Sequence, residues 1–200
     1  MNQVKRRPGR GDLVAAVYRG GELPGSPAPV VALVGRSNVG KSSLINRLLG
    51  RAAARIAKKP GKTRGIHFYE TDKGFLLADL PGAGFARAPR RERERWEGLA
   101  DELLESGAVT LALRLVDPRV SDAAVDRALR DALVTRGVPS LAVATKWDRL
   151  SAAERVRARR RLAAEHGEIL AVSARSGEGI EQLRREIRRR VLEVEENANG

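Results

Sequence analysis

The chain has 200 residues, 42% hydrophobic and 32% charged, the proportions of one compact domain with a sizeable core. It has no cysteine and no apolar run near the ~20 residues that span a bilayer, which rules out disulfides, thiolate chemistry, cysteine-ligated zinc and prenyl or palmitoyl anchors, and sets the expectation of a soluble, cytoplasmic protein that does not engage membranes. The net charge of +13 creates a field that attracts polyanions; a compositional preference for Arg explains why 31 arginines stand against 7 lysines, but not why cations exceed acids.

Residues 1–11 (MNQVKRRPGRG) are basic, lack apolar periodicity and read as a flexible arm. Residues 13–18 suit a strand, and a Gly/Pro-rich connector, 20–29, leads to the β-branched run 30–34, a buried strand. That run delivers the chain to Gly35-Arg36-Ser37-Asn38-Val39-Gly40-Lys41-Ser42-Ser43, which matches GxxxxGK[ST]; beyond it Leu44, Ile45, Leu48 and Leu49 share one helical face. In a strand–loop–helix context the glycines let backbone N–H groups wrap a phosphate, and the helix N-terminus adds partial positive charge. Lys41 then reaches the outer phosphates and the Ser42 hydroxyl can ligate Mg²⁺. The loop indicates a nucleoside triphosphate without naming the base.

Residues 51–64 are rich in charge and turn formers, and Lys59-Pro60-Gly61-Lys62-Thr63-Arg64-Gly65 reads as a mobile segment. Residues 66–71 and 75–79 form two short strands, antiparallel across the turn Asp72-Lys73-Gly74. The second ends in Asp79-Leu80-Pro81-Gly82, where an Asp leaving a hydrophobic strand can hold Mg²⁺ and a Gly N–H can touch a γ-phosphate. A loop over 83–95 leads into a helix over 91–105 with Trp96, Leu99, Leu103 and Leu104 inward. A central strand over 109–117, a helix over 122–135 and a strand over 140–144 follow. Ser151 and Glu154 make a capping box that opens a helix to about residue 165, and a last strand covers 168–172. The final helix, 178–194, carries Ile180, Leu183, Ile187, Val191 and Val194 at spacings of three and four, and the end of the chain, 196–200, is expected to fray. The alternation predicts an α/β fold: a mostly parallel central sheet with one antiparallel strand and helices on both faces, in a single domain over 12–195.

Directly after the 140–144 strand, Thr145-Lys146-Trp147-Asp148 matches [NT]KxD. The Asp148 carboxylate can accept from N1–H and the exocyclic NH₂ of guanine, a pairing adenine cannot supply, while the Lys146 stem covers the face of the base. After the last strand, Ser173-Ala174-Arg175 matches the [ST]A element whose backbone meets the guanine oxygen. With Thr63, these elements stand in the order and at the strand ends of a GTPase that binds GTP and GDP.

The segments Gly35 to Ser43, Lys59-Pro60-Gly61-Lys62-Thr63, Asp79 to Gly82 followed by Gly84 and Ala86, and Thr145 to Asp148 resemble the EngB (YsxC/YihA) GTPases, Ras-like P-loop proteins of the TrmE-Era-EngA-EngB group, over roughly residues 12–195. The resemblance implies slow GTP hydrolysis and a switch in assembly of the bacterial large ribosomal subunit, with a link to cell division. Its partner would be the precursor particle, and the protein a monomer. It also implies catalytic roles for Lys41, Thr63 and Gly82, and Mg²⁺ held by Ser42 and Thr63 and, through water, by Asp79. Two loops, about 58–65 and 83–95, would order with GTP. Departures are Ala83, where the family carries an aromatic residue, and Pro118-Arg119-Val120-Ser121. Ras-like enzymes place a Gln after the glycine of Asp79 to Gly82 to orient water, and Ala83 cannot do so. Asn38 resembles the residue through which related GTPases hold K⁺; packing is the other reading for it.

Arginines cluster over 87–95, 149–161 and 184–190. Such runs are ordinarily solvated helix faces, but in a ribosome-directed protein they suit rRNA phosphates. Three readings remain: a GTPase docking on a pre-ribosomal particle, a GTPase of another process such as tRNA modification or cell-cycle control, and a GTP-binding module without significant turnover.

Overall fold

In the computed structural model the described residues are 13–19, 23, 28–50, 65–83, 90–120 and 123–198; the expectations for residues 1–11, for 51–64 and for Gly84, Phe85 and Ala86 fall outside them. In chain order the elements are β1 (Leu13–Val17), β2 (Val30–Gly35), α1 (Lys41–Leu49), β3 (Ile66–Glu70), β4 (Leu76–Asp79), α2 (Arg90–Glu105), β5 (Val109–Val116), α3 (Ala123–Thr135), β6 (Ser140–Ala144), α4 (Ala152–His166), β7 (Ile169–Ala171) and α5 (Ile180–Ala198), with one 3-10 turn at Trp147–Arg149.

The strands form one sheet in the order β1-β3-β4-β2-β5-β6-β7. Among the described strands only β3 is reversed, pairing antiparallel with β1 on one side and β4 on the other, while β4, β2, β5, β6 and β7 pair in parallel. The predicted sheet is therefore the observed one. The two residues following each other along β2 point to opposite faces and so feed two cores. Val31 and Leu33 join Leu111, Leu113 and Leu115 of β5 beneath α1 and α5, whereas Val30, Ala32 and Val34 join Leu99, Leu103 and Leu104 of α2 and Leu133 of α3. A third cluster seats Ala158 and Leu162 of α4 on Val116 and Ala144. β2 is buried along its whole length, as a parallel strand covered by helices on both faces must be.

The inward residues predicted for α2 (Trp96, Leu99, Leu103, Leu104) and, up to Val191, for α5 are all buried. The capping box on α4 is present, with Ser151 N–H donating to Glu154 Oε2 at 2.7 Å. Helix α5 begins at Ile180, two residues later than the spacing suggested, and runs to Ala198, beyond the last apolar position at Val194. Gly179, directly before it, has φ +73°, outside the right-handed helical region, and lies so close to the Ala171 carbonyl oxygen (2.1 Å from a Cβ placed there) that only glycine fits. Among the described residues no helix is long and apolar enough to cross a membrane.

Candidate functional site

Because β2, β4, β5, β6 and β7 run the same way, their carboxyl ends share one edge of the sheet, and the loops that leave them meet there. The loop from β2 to α1 needs unusual backbone. Gly35 has φ +148° and passes so close to β5 that a Cβ would stand 2.7 Å from Leu115 O. Gly40 is also at positive φ, and Asn38 takes the left-handed conformation at φ 61° with its side chain exposed, which leaves the packing reading of Asn38 without support.

Lys41, the first residue of α1, curls back over this loop; its Nζ donates to Gly35 O at 3.0 Å and Arg36 O at 3.2 Å. Burial lowers its pKa to about 8, against the pull of Asp79. The next residue, Ser42, donates its hydroxyl to Asp79 Oδ2 at 2.7 Å. Asp79 Oδ1 is buried and has no hydrogen-bond partner among the described residues. Burial pushes the Asp79 carboxyl up, only partly opposed by Lys41, the Ser42 hydrogen bond and His67. An under-coordinated carboxylate beside a hydroxyl is an all-oxygen donor set suited to a hard divalent cation.

The loop after β4 lies flat against the loop after β2. Ala83 N–H donates to Gly35 O at 3.0 Å and Ser37 N–H to Ala83 O at 3.2 Å. At Gly82 a Cβ would stand 2.8 Å from Ser37 N and Cα and 3.0 Å from Lys41 Nζ, so the side chain must be hydrogen for this approach. Leu80 is core, and Pro81 is half-buried between it and Gly82.

A second cluster forms where β6 and β7 end. The buried Thr145 hydroxyl is 2.8 Å from Val39 O and 3.2 Å from Val116 O, stapling the first loop to the sheet. Lys146 has φ 53°, and its Nζ contacts Asn38 O at 2.6 Å and Asp117 Oδ2 at 3.0 Å. Ser173, fully buried, donates to Asp148 Oδ1 at 2.6 Å, and this bond, with smaller help from Arg149 and Arg175, holds the Asp148 carboxyl below its ordinary range. A cavity of about 130 Å³ lies among Gly40, Ser43, Leu44, Lys146, Asp148 and Ala174.

The structure thus brings together Gly35 to Ser43, Asp79 to Gly82, Thr145 to Asp148 and Ser173 to Arg175. Gly61, Lys62, Thr63 and Arg64 lie outside the described residues; Gly65 is buried at the entry to β3, where a Cβ would meet Val17 O at 2.3 Å. Trp147 belongs to the candidate set by sequence only through its backbone: its indole is 2% exposed and packs with Val116, Ala158 and Leu162. Two residues at the site escaped the sequence reading, Asp117 and Arg119. The available signal was an Asp leaving the end of a buried strand, the same placement that singled out Asp79.

A family model described as "50S ribosome-binding GTPase" matches residues 30–146. The chain is 40% identical over 184 residues to "Probable GTP-binding protein EngB" of Acidobacterium capsulatum, covering 87% of each chain. It is 42% identical over 178 residues to the protein of that name from Oleidesulfovibrio alaskensis, covering 86% of this chain and 82% of the other. A crystal structure of "a probable GTP-binding protein engB" superposes with a TM-score of 0.66 at 26% identity, over 82% of this chain and 99% of that one.

Proposed function

Since the chain belongs to the EngB family of GTP-binding proteins, we propose that it is a slow GTPase that switches between GTP and GDP states in assembly of the large ribosomal subunit. The observation that carries this reading is the meeting of Lys41, Ser42, Asp79 and Gly82 at one end of a loop cluster whose other end holds Asp148 and Ser173. The first group suits phosphates and a metal ion; the second suits a purine edge.

In this reading the N–H groups from Asn38 to Ser42 cradle the phosphates and Lys41 supplies a buried cation beside them. Its contacts to Gly35 O and Arg36 O keep that cation poised before any ligand arrives. Mg²⁺ fits the residues present, because Asp79 offers a buried oxygen without a partner and Ser42 an adjacent hydroxyl. Ser42 would hold the ion, Asp79 through water, and Thr63 as the second hydroxyl. A divalent cation held there would supply positive charge to offset that of the phosphates. Gly82 N–H senses the γ-phosphate, directly before the Ala83 bridge to Gly35 and Ser37. The Ala83 side chain has no group that could orient a water molecule, and hydrolysis is therefore slow until a partner contributes. Exposed Asn38 is the residue beside which K⁺ would sit. Asp148 accepts the guanine edge with Ser173 fixing its rotamer.

The ribosomal part of the reading draws on the name of the matching family model and on the +13 charge, which favours rRNA phosphates. It is tested by GTP hydrolysis with and without large-subunit precursor particles, in K⁺ and in Na⁺, with cosedimentation followed in GTP and in GDP. GTP-dependent cosedimentation with faster turnover is the expected result. Absence of cosedimentation in both states would leave a GTPase of another process.

A further inference from the structure

Asp117 follows β5 directly and is nearly buried. Every interaction of its carboxylate that the structure describes runs to two residues. Oδ1 accepts from Arg119 N–H at 3.1 Å and Arg119 Nε at 3.0 Å; Oδ2 accepts from Arg119 Nη2 at 2.8 Å and pairs with Lys146 Nζ at 3.0 Å. The guanidinium grips both oxygens in the two-pronged manner that fixes a carboxylate's orientation as well as its charge. The turn that presents Arg119 is itself anchored, with Val120 N–H donating to Asp117 O at 3.0 Å and Arg161 of α4 donating to Pro118 O at 2.6 Å.

Lys146 stands between two cavities. Its side chain lines the pocket of about 130 Å³ with Gly40 and Asp148, and also a pocket of about 310 Å³ on the far side with Arg36, Ser37 and Asn38. Asp117 and Arg119 line only the second. The contacts that join them to the first pocket run through the lysine between them. Lys146 also bears a left-handed backbone that disfavours a side chain, so its placement depends on what holds its ends. Asn38 O supplies one hold and is neutral; Asp117 supplies the charged one.

We propose that Asp117, oriented by Arg119, is a positioning residue for nucleotide binding: it holds Lys146 stretched across the two loops so that the lysine stem forms the wall against which the base lies. The inference rests on the guanine-nucleotide reading above. Because the stem covers the face of the base and not its edge, Asp117 governs how long a purine nucleotide stays and leaves edge recognition to Asp148.

The test is release of fluorescently labelled GDP and IDP from the full chain, with equilibrium competition wherever release is too fast to follow. The variants are Asp117→Asn, Arg119→Ala, Lys146→Met and the two double variants with Lys146→Met. Loss of a charge-assisted contact predicts release about 10- to 100-fold faster in Asp117→Asn and about 3-fold faster in Arg119→Ala. The factor is the same for GDP and IDP, and both effects vanish in the Lys146→Met background. If either acceleration persists there, or if Asp117→Asn and Arg119→Ala release nucleotide at the wild-type rate, the inference is overturned. Arg119 is 34% exposed, so its cycle decides the matter should Asp117→Asn fold poorly. A Lys146→Met variant that releases nucleotide at the wild-type rate likewise overturns the inference, whereas failure of the wild type to bind GDP overturns the site reading itself, which is a distinct result.

Discussion

The hydroxyl of Ser42 donates to Asp79 Oδ2 at 2.7 Å, tying the first turn of α1 to the end of β4 while the other Asp79 oxygen stays buried without a partner among the described residues. In the proposed reading this pair is built around a place for a cation. Removing the hydroxyl takes one oxygen from that place and leaves Asp79 less well oriented. Ser42→Ala is therefore expected to bind GDP in EDTA as the wild type does, and to lose about tenfold or more of the tightening that Mg²⁺ confers on GTP. Titrations with and without Mg²⁺ check this; an unchanged Mg²⁺ effect would remove Ser42 from the metal site.

Lys41 gives the site a pH dependence whose sign follows from its burial. Its pKa in the free protein is lowered to about 8, chiefly by desolvation. Phosphates in contact with it raise that value, so above about pH 8 binding must draw a proton from solvent. Affinity for GDP is full below that pH and falls as pH rises through it, approaching tenfold per unit. Lys41→Arg, cationic throughout, loses this dependence whatever its absolute affinity. Calorimetry in buffers of different ionisation enthalpy measures the proton uptake directly.

What could be read from the sequence was what a local pattern determines. Gly35 and Gly40 announce their loop because its backbone demands glycine, Lys41 because its side chain folds back over that loop, and Leu99, Leu103 and Leu104 announce their helix because burial imposes a period. The link from Arg119 through Asp117 to Lys146 was not legible, because Asp117 and Arg119 follow one strand and Lys146 another, and no spacing rule joins the two ends. Nor was the burial of Trp147, which sits in a three-residue turn too short to have a face. The seal between Ala83 and the first loop is a backbone bridge, indifferent to side chains, and leaves no mark in the sequence beyond the glycine before it.

In the proposed reading base choice rests on Asp148, whose Oδ1 accepts from Ser173. Asn at this position presents an NH₂ donor in place of an acceptor. Guanine would then oppose donor to donor, whereas xanthine, with a carbonyl at C2, would be matched. Asp148→Asn is expected to lose GDP affinity by about two orders of magnitude or more and to gain XDP. Competition of the two nucleotides for the variant measures the exchange. Retained preference for GDP would place guanine recognition elsewhere.

His166, the last residue of α4, supplies an acid-side test of the fold that is separate from the site. Its side chain is 4% exposed, and Arg114 Nη1 lies 3.4 Å from its Nδ1. Because a guanidinium only donates, Nδ1 must carry the lone pair and the proton sits on Nε2, toward Glu165 Oε2 at 3.6 Å. Protonating Nδ1 would turn one donor against another inside the protein. Burial lowers the imidazole pKa first, then Arg114 of β5; Arg130 of α3 and Arg161 of α4 add to this, and only Glu165 opposes. With the folded pKa below the ordinary 6.5, the unfolded chain takes up the proton first, so this histidine's contribution is intact above 6.5 and is lost as pH falls below it. His166→Gln keeps an acceptor for Arg114 and cannot titrate. It should cost about 1 kcal/mol near neutral pH, through imperfect packing, yet lose less stability than the wild type between about pH 7 and pH 5. Urea midpoints of both proteins at the two pH values give the comparison, and parallel losses would show that the buried arginine does not face a titrating group.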